Sequence, residues 1–135
     1  MVLTDNAPNL RNIHALVLDD HQDTLEVFRT ALESCMANVL TARTARDAVT
    51  ILKTVRLDAI ISDLAMPGED GYSLIDKIRT LETGTGKHIP AIALTAYVRV
   101  EDRTRALSAG FNLFVPKPVQ PYELVAAIVN LTELA

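Results

Sequence analysis

Ile60-Ile61-Ser62-Asp63-Leu64-Ala65-Met66-Pro67-Gly68-Glu69-Asp70-Gly71 decides how the rest of the chain is read. Ala59 to Ile61 is a short apolar run that passes through Ser62 to an acid and then to proline and glycine. A run this short, bounded by turn residues, reads as a buried strand that opens into a loop at its C-terminal end. In an open parallel α/β sheet, ligands bind in the crevice beyond the strand C-termini, which puts Asp63 at the functional edge. Taken alone, an aspartate after a strand is an ordinary turn former. Its meaning depends on what the other strands bring to the same edge.

Upstream, Ile13-His14-Ala15-Leu16-Val17-Leu18 is a strand aliphatic enough to be covered on both faces, and it ends in Asp19-Asp20. His14 is expected to face solvent. Between Asp23 and Met36, Leu25, Phe28 and Leu32 recur at helical spacing. Val39 and Leu40 give a short second strand. Thr44 is placed to cap the next helix with Asp47 in its first turn, and Ala48, Val49, Leu52 and Val55 form the inner stripe. Asp58 to Asp63 is the third strand.

Downstream, Leu74, Ile75, Ile78 and Leu81 mark a third helix. Thr83-Gly84-Thr85-Gly86-Lys87 has a phosphate-loop look, but Leu81 and His88 stand where that motif needs glycine and a hydroxyl residue, so it reads as a turn. Ile89 to Leu94 is the fourth strand, ending at Thr95. Glu101 to Ala109 is a polar helix stopped by Gly110. Leu113 to Val115 is the fifth strand, followed by Pro116-Lys117-Pro118. Pro121 opens a last helix with inner stripe Leu124, Val125, Ile128 and Leu131. Regular alternation of strand and helix implies parallel strands joined by right-handed crossovers. The expected fold is an open five-stranded parallel α/β sheet, (βα)5 and flavodoxin-like, in strand order 2-1-3-4-5.

At 135 residues the chain is expected to form one domain, preceded by a polar tail over residues 1–12. A 49% hydrophobic content excludes a disordered chain. A net charge of −4 offers no field to recruit nucleic acid, and the groups Arg43, Arg46 and Arg99, Arg103, Arg105 read as solvated helix faces. Cys35 is the one cysteine, so no internal disulfide forms, and no Cys/His spacing fits zinc. Without a cleavable signal or a membrane-length apolar run, the protein is expected to be soluble and cytoplasmic, with no membrane contact.

The strand order places strands one, three, four and five side by side. Their ends gather Asp19, Asp20, Asp63, Thr95 and Lys117. Two carboxylates about 5 Å apart repel by roughly 3 kcal/mol at an effective dielectric near 20. One lysine cannot neutralise three acids, which implies a hard divalent cation. An oxygen-only ligand set favours Mg²⁺ or Mn²⁺. The rival readings are a structural ion cluster and a proton shared among the carboxylates. A cation, a carboxylate and a lysine together suit phosphoryl transfer, with Asp63 as the nucleophile and Asp19 and Asp20 placed to hold metal.

The residues Leu18-Asp19-Asp20, Asp63 with Met66-Pro67 and Asp70-Gly71, Leu94-Thr95-Ala96 and Lys117-Pro118 resemble, in identity and spacing, the receiver domain of bacterial two-component response regulators. The likeness runs from about residue 13 to the end, so the receiver domain is assigned to residues 13–135. It implies that Asp63 is the phosphoacceptor and that Asp20, Asp63 and the Ala65 carbonyl are metal ligands, with Asp19 acting through a metal-bound water. It implies that Thr95 and Lys117 bind the phosphoryl oxygens, that Phe114 takes an aromatic switch position, and that the Lys117-Pro118 bond is cis. The donor would be a histidine kinase or a histidine phosphotransfer protein. The run from Ala93 to Val119 also resembles receivers attached to hybrid sensor kinases. The sequence names no downstream partner and no oligomeric state.

Two other functions compete. An Asp-nucleophile phosphatase of the haloacid-dehalogenase type would carry D-x-D after its first strand, where this chain has Asp19-Asp20-His21. A docking module independent of phosphorylation would not need the full acceptor set. A histidine phosphotransfer domain built on His21 is excluded by the βα alternation, since such domains resemble helical bundles. The protein is accordingly expected to be a phosphoacceptor and not an enzyme. No DNA-binding or catalytic segment is read after the last helix, so no direct nucleic-acid contact is expected.

The resemblance also singles out Ala65 and Tyr97, at the two positions that govern water access to the phosphoryl group. Alanine orients no water, and tyrosine is bulky enough to cover the pocket mouth. Losing water-positioning groups raises the hydrolytic barrier by about 1–3 kcal/mol, or roughly ten- to a hundredfold in rate. Decay of the purified phosphoprotein should quicken in an Ala65→Asn, Tyr97→Glu double variant. Decay at the wild-type rate would show that water access does not limit hydrolysis.

Overall fold

The computed structural model describes residues 9–64, 71–96 and 99–133. Five strands alternate with five helices among them: β1 (His14–Leu18), α1 (Gln22–Ser34), β2 (Asn38–Ala42), α2 (Ala45–Thr54), β3 (Ala59–Asp63), α3 (Gly71–Glu82), β4 (Ala91–Thr95), α4 (Val100–Ala109), β5 (Leu113–Pro116) and α5 (Pro121–Glu133). The strands form one parallel sheet in the order β2-β1-β3-β4-β5, as expected. All five residues of β3 and all five of β4 are buried, because the central strands are covered on both faces.

The period of two along each strand divides the core. Ala15, Val17, Ile61, Ile92 and Leu94 meet Leu25, Phe28 and Leu32 of α1 and Leu124, Val125 and Ile128 of α5. Leu16, Leu18, Ile60, Ala91 and Ala93 meet Ala45 and Ala48 of α2, Leu74, Ile75 and Ile78 of α3, and Ala106 of α4. Thr44 caps α2 by accepting from the Asp47 N–H at 3.1 Å, and Gly110 ends α4 at φ 122°. Among the described residues no helix is long and apolar enough to cross a membrane.

Several side chains depart from the periodic reading. Leu81 is 48% exposed, because the last turn of α3 runs past the sheet edge. In α2 the buried positions are Ala45 and Ala48, while Val49, Leu52 and Val55 are half-buried. Leu10, within the stretch read as a tail, lies in the core and donates its N–H to Cys35 O at 2.7 Å. Ala65, Met66-Pro67, Asp70 and Tyr97 lie outside the described residues.

The N-terminal edge of the sheet is held by Arg79. Its guanidinium donates to Gly110 O (2.8 and 3.1 Å), Ile89 O (2.9 Å), Glu82 Oε1 (2.7 Å) and Asn112 Oδ1 (3.1 Å). Glu82 Oε2 accepts from the Ile89 N–H and Asn112 Oδ1 from the Ala91 N–H, so one cation ties α3, the entry to β4 and the turn before β5.

At the opposite edge α3 begins hard against the end of β3. A Cβ added to Gly71 would stand 2.6 Å from Ser62 Oγ, 2.8 Å from Asp63 O and 2.8 Å from Leu64 Cδ2. Glycine is required there by close approach. Gly71→Ala should lower stability by about 1–3 kcal/mol, the usual cost of overpacking, with the urea m-value unchanged. A midpoint equal to wild type would show that the helix start yields freely.

Candidate functional site

The sheet ladder runs one step past β1, β3 and β5 and fixes the backbone at or beside Asp19, Asp63 and Lys117. Asp19 N–H donates to Ala42 O at 3.1 Å, Leu64 N–H to Leu94 O at 2.9 Å, and Lys117 N–H to Thr95 O at 2.8 Å. Asp63 and Thr95 are the last residues of β3 and β4. Asp19, Asp63 and Thr95 are buried, at 1%, 2% and 1% exposure. Asp20 is half-buried.

Lys117 Nζ lies 3.4 Å from Asp19 Oδ2 and 3.3 Å from Asp63 Oδ2. The Lys117-Pro118 bond is cis, as the family resemblance implied. One ammonium therefore serves two buried carboxylates, and with Asp20 the group carries a formal excess of two negative charges. Asp19, Asp20, His21 and Asp63 each present a ligand atom, all within 4.8 Å of one another. Asp20 Oδ1 is sealed from solvent and accepts no hydrogen bond, although His21 Nδ1 stands 3.0 Å away without hydrogen-bond geometry. A buried carboxylate oxygen with no donor, in a net-negative group of oxygen ligands, fits a divalent cation.

The sequence-predicted residues Asp19, Asp20, Asp63 and Lys117 are thus brought together, with Thr95 one strand over at the same edge. The Ala65 carbonyl, expected as a ligand, lies outside the described residues. Phe114 is half-buried and packs in the α2–α3–α4 core, beside Ala93 in the ladder.

Two neighbours were not foreseen. His21 turns its Nδ1 back to Asp19 Oδ1 at 3.2 Å, while its backbone N–H donates to that same oxygen at 2.9 Å. Arg43, read as a solvated side chain, donates through Nε and Nη2 to Asp20 O at 3.3 and 3.0 Å and braces the loop. The sequence signal for His21 was its adjacency to the acid pair. Arg43 gave none.

Residues 15–129 match the response regulator receiver domain. The chain belongs to that family. This receiver is 43% identical over 119 residues to an uncharacterised 14.6 kDa protein of Leptolyngbya boryana, covering 88% of this chain and 89% of that one. It is 37% identical over 130 residues to hybrid signal transduction histidine kinase D of Dictyostelium discoideum, covering 92% of this chain but only 8% of the kinase. The receiver domain of the Francisella response regulator 1452 superimposes with a TM-score of 0.83 at 26% identity, over 91% of this chain and 98% of that one.

The crowding of charge in this receiver has a measurable cost. Like charges at 4.8 Å repel by about 3 kcal/mol at an effective dielectric near 20, less where solvent reaches them, as it does Asp20. Asp20→Asn removes one charge at an oxygen that accepts no hydrogen bond. It should stabilise the metal-free protein by about 1 kcal/mol in urea denaturation with EDTA present. A loss of stability would show that the Asp20 carboxylate is held by favourable contacts.

Proposed function

We propose that this receiver takes a phosphoryl group onto Asp63 from a phosphohistidine of a histidine kinase or a histidine phosphotransfer protein. The observation that carries the reading is Asp63 itself, which is buried at the end of a central strand, 3.3 Å from Lys117 Nζ and within 4.8 Å of ligand atoms of Asp19 and Asp20. An Asp63 carboxylate oxygen bonds to phosphorus as the P–N bond of the donor breaks, and the leaving imidazole nitrogen takes a proton. Lys117, already bridging Asp19 and Asp63, stabilises charge on the phosphoryl oxygens. Thr95 donates its hydroxyl to one of them.

Mg²⁺, or Mn²⁺, would be held by Asp20, Asp63 and the Ala65 carbonyl, with Asp19 acting through water, and when bound it supplies neutralising charge for the transferring group. Asp63 is modified once per transfer, so the protein acts as a phosphoacceptor and not as a turnover enzyme. The acceptor chemistry belongs to a cytoplasmic signalling protein.

Output follows from Thr95 and Phe114. Thr95 shares its sheet face with Ala93 and Phe114, through the pairs Ala93↔Phe114 and Thr95↔Pro116. When the Thr95 hydroxyl moves to the phosphoryl group, space opens beneath α4. Phe114 then turns inward over the small Ala93 and reshapes the α4–β5–α5 surface for a downstream partner.

Asp63→Asn should abolish Mg²⁺-dependent labelling by radioactive acetyl phosphate, while the fold by circular dichroism stays unchanged. Labelling equal to wild type would move the acceptor elsewhere and overturn the reading.

A further inference from the structure

We infer that His21 is a ligand of the metal site, an imidazole that makes it prefer first-row transition ions such as Ni²⁺ to Mg²⁺. This rests on the reading of Asp19, Asp20 and Asp63 as a cation site and deepens it. His21 Nδ1 lies 3.2 Å from Asp19 Oδ1 and 3.0 Å from Asp20 Oδ1. Octahedral bonds of about 2.1 Å at right angles place neighbouring ligand atoms about 3.0 Å apart, so the His21–Asp20 separation is that of adjacent ligands on one ion.

A purely ionic role for the imidazole explains less. Asp19 Oδ1 already receives the His21 backbone N–H at 2.9 Å, and its other oxygen faces Lys117. Asp20 Oδ1 is buried and accepts no hydrogen bond, even from the imidazole 3.0 Å away. The ring is 71% exposed, so nothing in the core demands its inward orientation. The ring's hydrogen bond to Asp19 Oδ1 explains part of its orientation, and a shared ion accounts for its approach to Asp20 Oδ1 without one.

The consequence is selectivity. Mg²⁺ keeps its waters and favours oxygen, so the imidazole adds little to its binding. Affinity for nitrogen rises from Mn²⁺ to Ni²⁺ and Cu²⁺, so the same side chain adds much to theirs. The other histidines are not candidates for this ligand: His14 pairs with Asp58, and His88 joins Asn112 at the opposite sheet edge.

The test is calorimetric titration of wild type and His21→Gln with NiCl₂ and, separately, MgCl₂. Losing a direct ligand should weaken Ni²⁺ binding at least as much as losing an outer-shell partner, by about tenfold or more, with Mg²⁺ binding within about twofold. On Mn²⁺-loaded protein, electron spin-echo modulation from a coordinated nitrogen should change on ¹⁵N-histidine labelling and vanish in His21→Gln. Equal weakening of Ni²⁺ and Mg²⁺ would make His21 a mere source of charge or order and overturn the inference. Unchanged Ni²⁺ binding with no histidine modulation would overturn it too, leaving the carboxylate site standing. Failure of wild type to bind either ion would overturn the carboxylate site and the inference together.

Discussion

Three carboxylates and one ammonium share the C-terminal edge of this sheet, and much of the structure serves to hold them there. Asp19 and Asp63 are buried, so water does little to screen them, and Lys117 divides its charge between the two. Side chains free to move would separate. They stay because the residues beneath them are fixed: Leu18, Ile61 and Leu94 are almost fully buried, and the ladder continues one hydrogen bond beyond β1, β3 and β5. A well-packed aliphatic core supports an arrangement of charges that is locally unfavourable.

At the other edge of the sheet a half-buried cation is fully engaged. Arg79 meets Glu82, two backbone carbonyls and Asn112, and those partners in turn cap the N–H groups of Ile89 and Ala91. Such a satisfied network rigidifies the entries to β4 and β5. Parallel strands make the contrast possible, because every strand starts at one edge and ends at the other. Arg79 anchors the edge where the strands begin, and the clustered acids lie at the edge where they end.

Most of this was legible in the sequence because it is periodic or sits next to something periodic. The aliphatic runs defined β1, β3 and β4, and the acids and the threonine that ended them were candidate site residues by position alone. Lys117 became legible only through strand order, which sets β5 beside β4. What escaped depends on side-chain direction across loops. His21 is exposed yet turns inward, and Arg43 reaches back to a carbonyl 23 residues earlier. Leu81 fits the α3 stripe by spacing, but the sheet ends before it, and Leu10 packs from a segment with no pattern of its own. Periodicity reports which face of an element is apolar, and it does not say where the neighbouring element stops.

Burial also indicates which element would yield if Thr95 moved as proposed. Helix α3 buries Gly71, Leu74, Ile75 and Ile78, and α5 buries Leu124, Val125, Ala127 and Ile128. Helix α4 buries only Ala106. At about 25 cal/mol per Å² of apolar surface, one alanine holds a helix far less firmly than three aliphatic side chains. Ala109 packs partly buried against the same core, and the Arg105 guanidinium lies 4.0 Å above the Tyr72 ring, itself edge-on to Phe111, with Arg105 exposed. Such a cation–π contact contributes about 0.5–1 kcal/mol. Under the proposed movement of Thr95, least resistance would be met through α4, with the half-buried Phe114 on the same sheet face.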